Sequence, residues 1–189
     1  LEGDCSDLTI LCCTSDFNNP KRLFCKYRKN ALAKVAEIKG AKLICIDNPS
    51  DLPEELGKRR LEGQGDESAP FRAAIDEIGD LVEELTRGCK YVATHNPMGE
   101  YGHLDHKIVF EVVLKRSMCE IRYTDICMST NWQRELVIPP RVREIFYKEK
   151  ISDHEINENL LSFAKRAYKL TNGWTWSRDI PQKCSVFRI

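Results

Sequence analysis

Cysteine pairs at metal-ribbon spacing, an excess of charge of either sign and a long apolar run are all missing from this chain, and each absence removes a class of function. None of the nine cysteines forms a Cys-x-x-Cys pair, which argues against a zinc ribbon. Lys plus Arg and Asp plus Glu number 29 each, so no global field recruits nucleic acid or an anionic membrane surface. No apolar stretch approaches the roughly 18 residues of a membrane span. What is present is ordinary for a folded chain: 42% hydrophobic and 31% charged residues, a balance that buries a core and does not stay disordered. At 189 residues the expectation is one α/β domain over residues 1–189.

The cysteines are dispersed. Cys12, Cys13, Cys25, Cys45, Cys89, Cys119 and Cys127 mostly fall within apolar runs and their total is odd, which suits reduced thiols used as small core residues in a reducing compartment, the cytoplasm.

Near the start, residues 8–14 (Leu-Thr-Ile-Leu-Cys-Cys-Thr) form a continuous apolar run of strand length, as a buried parallel strand does. Residues 22–39 carry Leu23, Tyr27, Leu32, Val35, Ala36 and Ile38 at broadly helical spacing and stop at Gly40, a helix C-cap. Residues 42–47 (Lys-Leu-Ile-Cys-Ile-Asp) then make a second strand and close a βαβ unit. Asp51, in the turn that follows, is either a pocket residue or a turn and cap aspartate. Residues 57–68 hold three glycines among charges and read as a mobile surface loop, in which Lys58, Arg59 and Arg60 either hold a substrate phosphate or are simply solvated. Phe71, Ala74, Ile75, Ile78, Leu81, Val82 and Leu85 recur every three or four residues and predict a helix over 71–87 that ends before Gly88.

Residues 89–94 read as a short strand that ends a second βαβ unit, and 107–115 as an apolar helix. Between them lies Thr94 to His106 (Thr-His-Asn-Pro-Met-Gly-Glu-Tyr-Gly-His-Leu-Asp-His), which gathers three of the four histidines. The loop joins the carboxyl end of a strand to a helix, the edge at which open α/β sheets bind ligands. Asn96-Pro97 starts a turn, and Gly99 and Gly102 let the backbone bend tightly. If the helix already includes Asp105 and His106, the imidazoles of His103 and His106 address one point, where a metal ion fits. A bare His-x-x-His at a helix start is more often two solvated or capping histidines.

The longer run His-Asn-Pro-x-Gly-Glu-Tyr-Gly-His-x-Asp-His resembles the second signature of the PIG-L or LmbE-like zinc-dependent N-deacetylases, which remove acetyl groups from N-acetylglucosamine-type sugars. The resemblance implies a Rossmann-like three-layer α/β domain with a mostly parallel sheet. It implies Zn2+ or another divalent metal as cofactor, with His106 as metal ligand. His103 then stabilises charge on the scissile carbonyl or donates a proton, and Asp105 orients and charges His103. Tyr101 lines the sugar pocket, and Asn96, Glu100 and Arg28, the last aligned only loosely, bind the amino-sugar substrate.

The resemblance covers residues 8–114, and the family's first signature, Ala-His-Pro-Asp-Asp-Glu, with a His and an Asp for zinc and an Asp as general base, does not occur here. Either a first βα unit lies outside the sequence, which is the reading preferred because the opening strand otherwise leaves a long apolar edge, or the motif has been lost and the chain is a catalytically silent sugar-binding or interaction domain. Downstream, residues 120–128 alternate as a strand with one wetter face, and 137–189 read as a helical extension, with a short helix over 142–150 and a longer one over 153–170. Trp174 and Trp176 either rim the sugar pocket or close a core, and His154 reads as a surface residue.

Overall fold

In a computed structural model of the chain, the structure describes residues 7–15, 23–47, 69–97, 99, 104–125, 149–170 and 182–189. Asp51, the 57–68 loop, the Lys58-Arg59-Arg60 run, Trp174 and Trp176 lie outside the described residues. The elements are β1 (Thr9–Ser15), α1 (Leu23–Ile38), β2 (Lys42–Asp47), α2 (Ala69–Thr86), β3 (Tyr91–Ala93), α3 (Leu104–Arg116), β4 (Glu120–Thr124), β5 (Glu149–Glu155), α4 (Glu158–Leu170) and β6 (Lys183–Arg188). The class is mixed α/β. The chain divides into two compact units, Leu1–Asp51 with Asn157–Ser177, and Leu52–Ile156 with Arg178–Ile189. Among the described residues no helix is long and apolar enough to cross a membrane.

The first unit contains the expected βαβ element. β1 and β2 pair in parallel, Thr9 opposite Lys42 through Cys12 opposite Cys45, and α1 makes the crossover. The helix stops where the sequence places the stop. Gly40 takes φ +62°, its N–H bonds the carbonyl of Glu37 at 3.0 Å, and the N–H of Ala41 reaches the carbonyl of Ala36 at 2.9 Å, the paired bonds of a Schellman cap. Cys13, Ala31, Ala36, Ile46 and Ala167 are buried here, and α4 packs on α1. The cap of α4 is Asn157, whose Oδ1 accepts the N–H of Leu160 at 3.0 Å.

The second unit holds a four-stranded sheet of order β3-β4-β6-β5. β3 and β4 are parallel across α3, whereas β6 runs antiparallel to both β4 and β5. Its alternation is clear. Ile121, Tyr123 and Phe187 are buried on one face, where Phe110 of α3 meets Tyr123 edge-on at 5.8 Å and Tyr123 stacks on Phe187 at 5.8 Å. Leu114 and Ile189 pack against this cluster. Such aromatic pairs contribute about 0.5–1.5 kcal/mol each beyond the area they bury. α3 buries Ile108, Phe110, Val112 and Val113 on more than one side because it packs against α2 as well as the sheet. The opposite sheet face carries charge. Glu120 bonds both Arg122 and Arg188, Arg188 bonds Glu149, and the Arg122 guanidinium lies 4.0 Å above the Tyr91 ring.

Three expectations need correction. β2 and β3 fall in different sheets, so the second expected βαβ pairing is not formed. Of the helices read over 142–150 and 153–170, residues 142–148 lie outside the described residues, 149–155 form β5, and the helix of the second covers Glu158–Leu170. A strand pairs there because β6 offers a complementary edge, Glu149 opposite Arg188 and Glu155 opposite Lys183. His154, read as a surface residue, is half-buried on β5, with its Nε2 2.7 Å from the hydroxyl of Ser152.

Candidate functional site

The strand ladder delivers the chain to the loop. One residue past β3 the N–H of Thr94 still bonds the carbonyl of Arg122, at 2.9 Å, which anchors His95 at the carboxyl end of the strand. The Thr94 hydroxyl beside it is buried and has no hydrogen-bond partner among the described residues. The chain then turns. The carbonyl of Asn96 accepts the N–H of Gly99 at 2.9 Å, with Pro97 at the position where its fixed φ suits a β-turn. Asn96, expected on the substrate, is only 1% exposed and belongs to the buried frame of this turn.

Gly99 is required by two features at once. Its φ is +65°, and a Cβ there would lie 3.0 Å from Cγ of Lys107 and 3.4 Å from Cβ of His106. The turn therefore lies directly on the first turn of α3. That helix begins at Leu104, so Asp105 and His106 are both in its first turn, as the sequence reading requires.

Folding the turn back stacks the imidazole of His95 on that of His106, with centroids 3.9 Å apart and planes 9° from parallel. Sequence reasoning gave His95 no role, although it opens the motif directly after the strand. The ten residues between the two histidines follow no helical or strand period, so only the turn brings them together.

The other candidates are placed as follows. His103, Glu100 and Tyr101 lie outside the described residues, and Arg28 is a residue of α1, in the first unit. Among the described residues no group of three or more His, Cys, Asp or Glu side chains is arranged to hold a metal ion. What these residues fit is one ligand position, a half-buried imidazole on a helix turn. The parallel rings direct their in-plane lone pairs along separate planes, so His106 would hold an ion without His95. Two parallel rings are not two ligands of one ion.

Cys12, Cys13, Cys45, Cys89, Cys119 and Cys184 are free thiols. Cys13 is buried, and burial, reinforced by Cys12, pushes its thiol up to about 12. Cys89 corrects the reading of these residues as core: it is exposed in the turn after α2, and its thiol donates to the carbonyl of Leu85 at 3.0 Å.

Compared with protein-family profiles, with characterised proteins and with solved structures, the chain has no significant match.

Proposed function

We propose that this chain carries the catalytic loop of a zinc-dependent N-deacetylase acting on an N-acetylglucosamine-type sugar or glycoconjugate, within a Rossmann-like domain of the PIG-L or LmbE-like kind. The observation that carries the reading is the loop itself: the signature-like run leaves the carboxyl end of β3 and delivers Asp105 and His106 in the first turn of α3. That is the sheet edge at which α/β proteins bind ligands.

In this reading His106 is a ligand of zinc or another divalent metal, whose further ligands come from beyond the described residues. When bound, the metal polarises the acetyl carbonyl and lowers the pKa of water. His103, kept cationic by Asp105, meets the charge that grows on the carbonyl oxygen. Glu100 and Tyr101 contact the amino sugar, while Asn96 supports them by holding the turn. The free thiols suit the cytoplasm. No nucleic-acid partner is expected from a chain whose charges balance.

Metal analysis and acetate release on the full-length protein test the proposal. One zinc per chain, lost in His106→Ala together with deacetylation of N-acetylglucosamine conjugates, supports it. A metal-free protein that still binds the sugar identifies a catalytically silent relative, and turnover of phosphate esters in place of N-acetyl sugars identifies a different hydrolase.

A further inference from the structure

We infer that His95 is a positioning residue for His106: its ring fixes the plane of the neighbouring imidazole and hence the direction of the lone pair that imidazole presents. The inference rests on the deacetylase reading and adds to it a residue that makes no bond to metal or substrate.

Three observations carry it. The rings stack at 3.9 Å and 9°. His95 sits on a fixed base, because Thr94 continues the β3–β4 ladder. His106 is held from the other side of the loop, since Gly99 packs so closely on the first turn of α3 that a methyl group would lie 3.4 Å from the His106 Cβ. The torsion that turns an imidazole about its Cβ–Cγ bond has broad wells, so a backbone-anchored histidine alone does not aim its nitrogen. A flat ring in face contact restricts that freedom.

The parallel geometry also separates bracing from ligation. The in-plane lone pairs of the two rings point along separate planes, so losing His95 would leave the ligand count intact and blur only the aim of one ligand. Hydrogen-bonding partners that orient metal ligands change metal affinity by about 10–100-fold on mutation, and a ring brace is expected to act on the same scale.

Zinc affinity of the full-length protein, by competition with a chromophoric chelator, and the visible spectrum of the Co2+-substituted protein provide the test, with melting temperatures measured alongside. His95→Phe keeps a flat ring and is expected to bind zinc within about threefold of the parent with the parent's Co2+ spectrum. His95→Gln and His95→Leu lack the ring and are expected to bind about 10–100-fold more weakly with an altered Co2+ spectrum. Two ring-free variants are used so that the result does not depend on one of them folding. Parental zinc affinity in a folded ring-free variant overturns the proposal, as does a His95→Phe protein as weak as the ring-free ones. Either result leaves the deacetylase reading standing. Absence of zinc binding by the parent protein overturns both.

Discussion

Arg122 on β4 and Arg188 on β6 stand directly opposite each other across the sheet, and both bond the one carboxylate of Glu120. Two like charges in register repel, so the pairing relies on the anion between them. The hydrogen bond from Arg122, aided by the charge of Arg122 and Arg188, holds the Glu120 carboxyl below its usual 4.5. A carboxyl with a lowered folded-state pKa contributes stability above its unfolded pKa and loses that contribution as pH falls through the folded value. Glu120→Gln is therefore expected to lower the melting temperature at neutral pH and to flatten its fall below about pH 4.5. Thermal melts of parent and variant from neutral to acid pH check this, and parallel curves would contradict it.

The end of α2 is tied to the turn after α3 through Thr86, a buried side chain whose hydroxyl donates to the carbonyl of Val82 at 2.7 Å and accepts the N–H of Met118 at 3.0 Å. Thr86→Val keeps the shape and leaves that amide without its acceptor, at an expected cost of about 1–3 kcal/mol. Thr86→Ser keeps the hydroxyl and should cost less. Urea unfolding of the two variants gives the comparison.

Gly99 and Gly40 share a left-handed backbone but not a surrounding. Nothing lies within 4 Å of a Cβ built on Gly40, whereas one on Gly99 meets Lys107 and His106. Gly40→Ala is expected to cost about 1–2 kcal/mol, the backbone term alone. Gly99→Ala should cost more and should also weaken zinc binding, because the added methyl presses on the turn that carries His106. Equal destabilisation with unchanged zinc affinity would show that the contact with α3 is unimportant.

Thiol reactivity should follow burial. Cys89 is exposed and Cys13 is buried with its pKa raised to about 12. Alkylation of the native protein near about pH 8, read by peptide mass mapping, is expected to label Cys89 and to spare Cys13 until denaturant is added, since the thiolate is the nucleophile. Early labelling of Cys13 would place it outside the core.

Local signals were legible where one element satisfied its own chain. The apolar run at β1, the helix stopping at Gly40 and β2 all lie within a residue or so of where the residues place them, because a continuous hydrophobic run and a glycine cap act over a few neighbours. The alternation of β4 was also readable, with Ile121 and Tyr123 buried between half-buried neighbours. β5 was not. Its residues, Glu-Lys-Ile-Ser-Asp-His-Glu, lack an apolar face, and their pairing with β6 rests on partners some thirty residues away, such as His154 opposite Cys184.

By itself the sequence determined the α/β class, the loop on which three histidines gather and the presence of a helix directly after it, since periodicity, turn residues and caps are local properties of the chain. Only tertiary structure decided that β6 runs antiparallel between β4 and β5, that Asn96 is buried and that His95 lies flat on His106. These depend on which distant backbone groups and ring faces meet once the chain has turned back on itself, and no spacing along the sequence encodes that meeting.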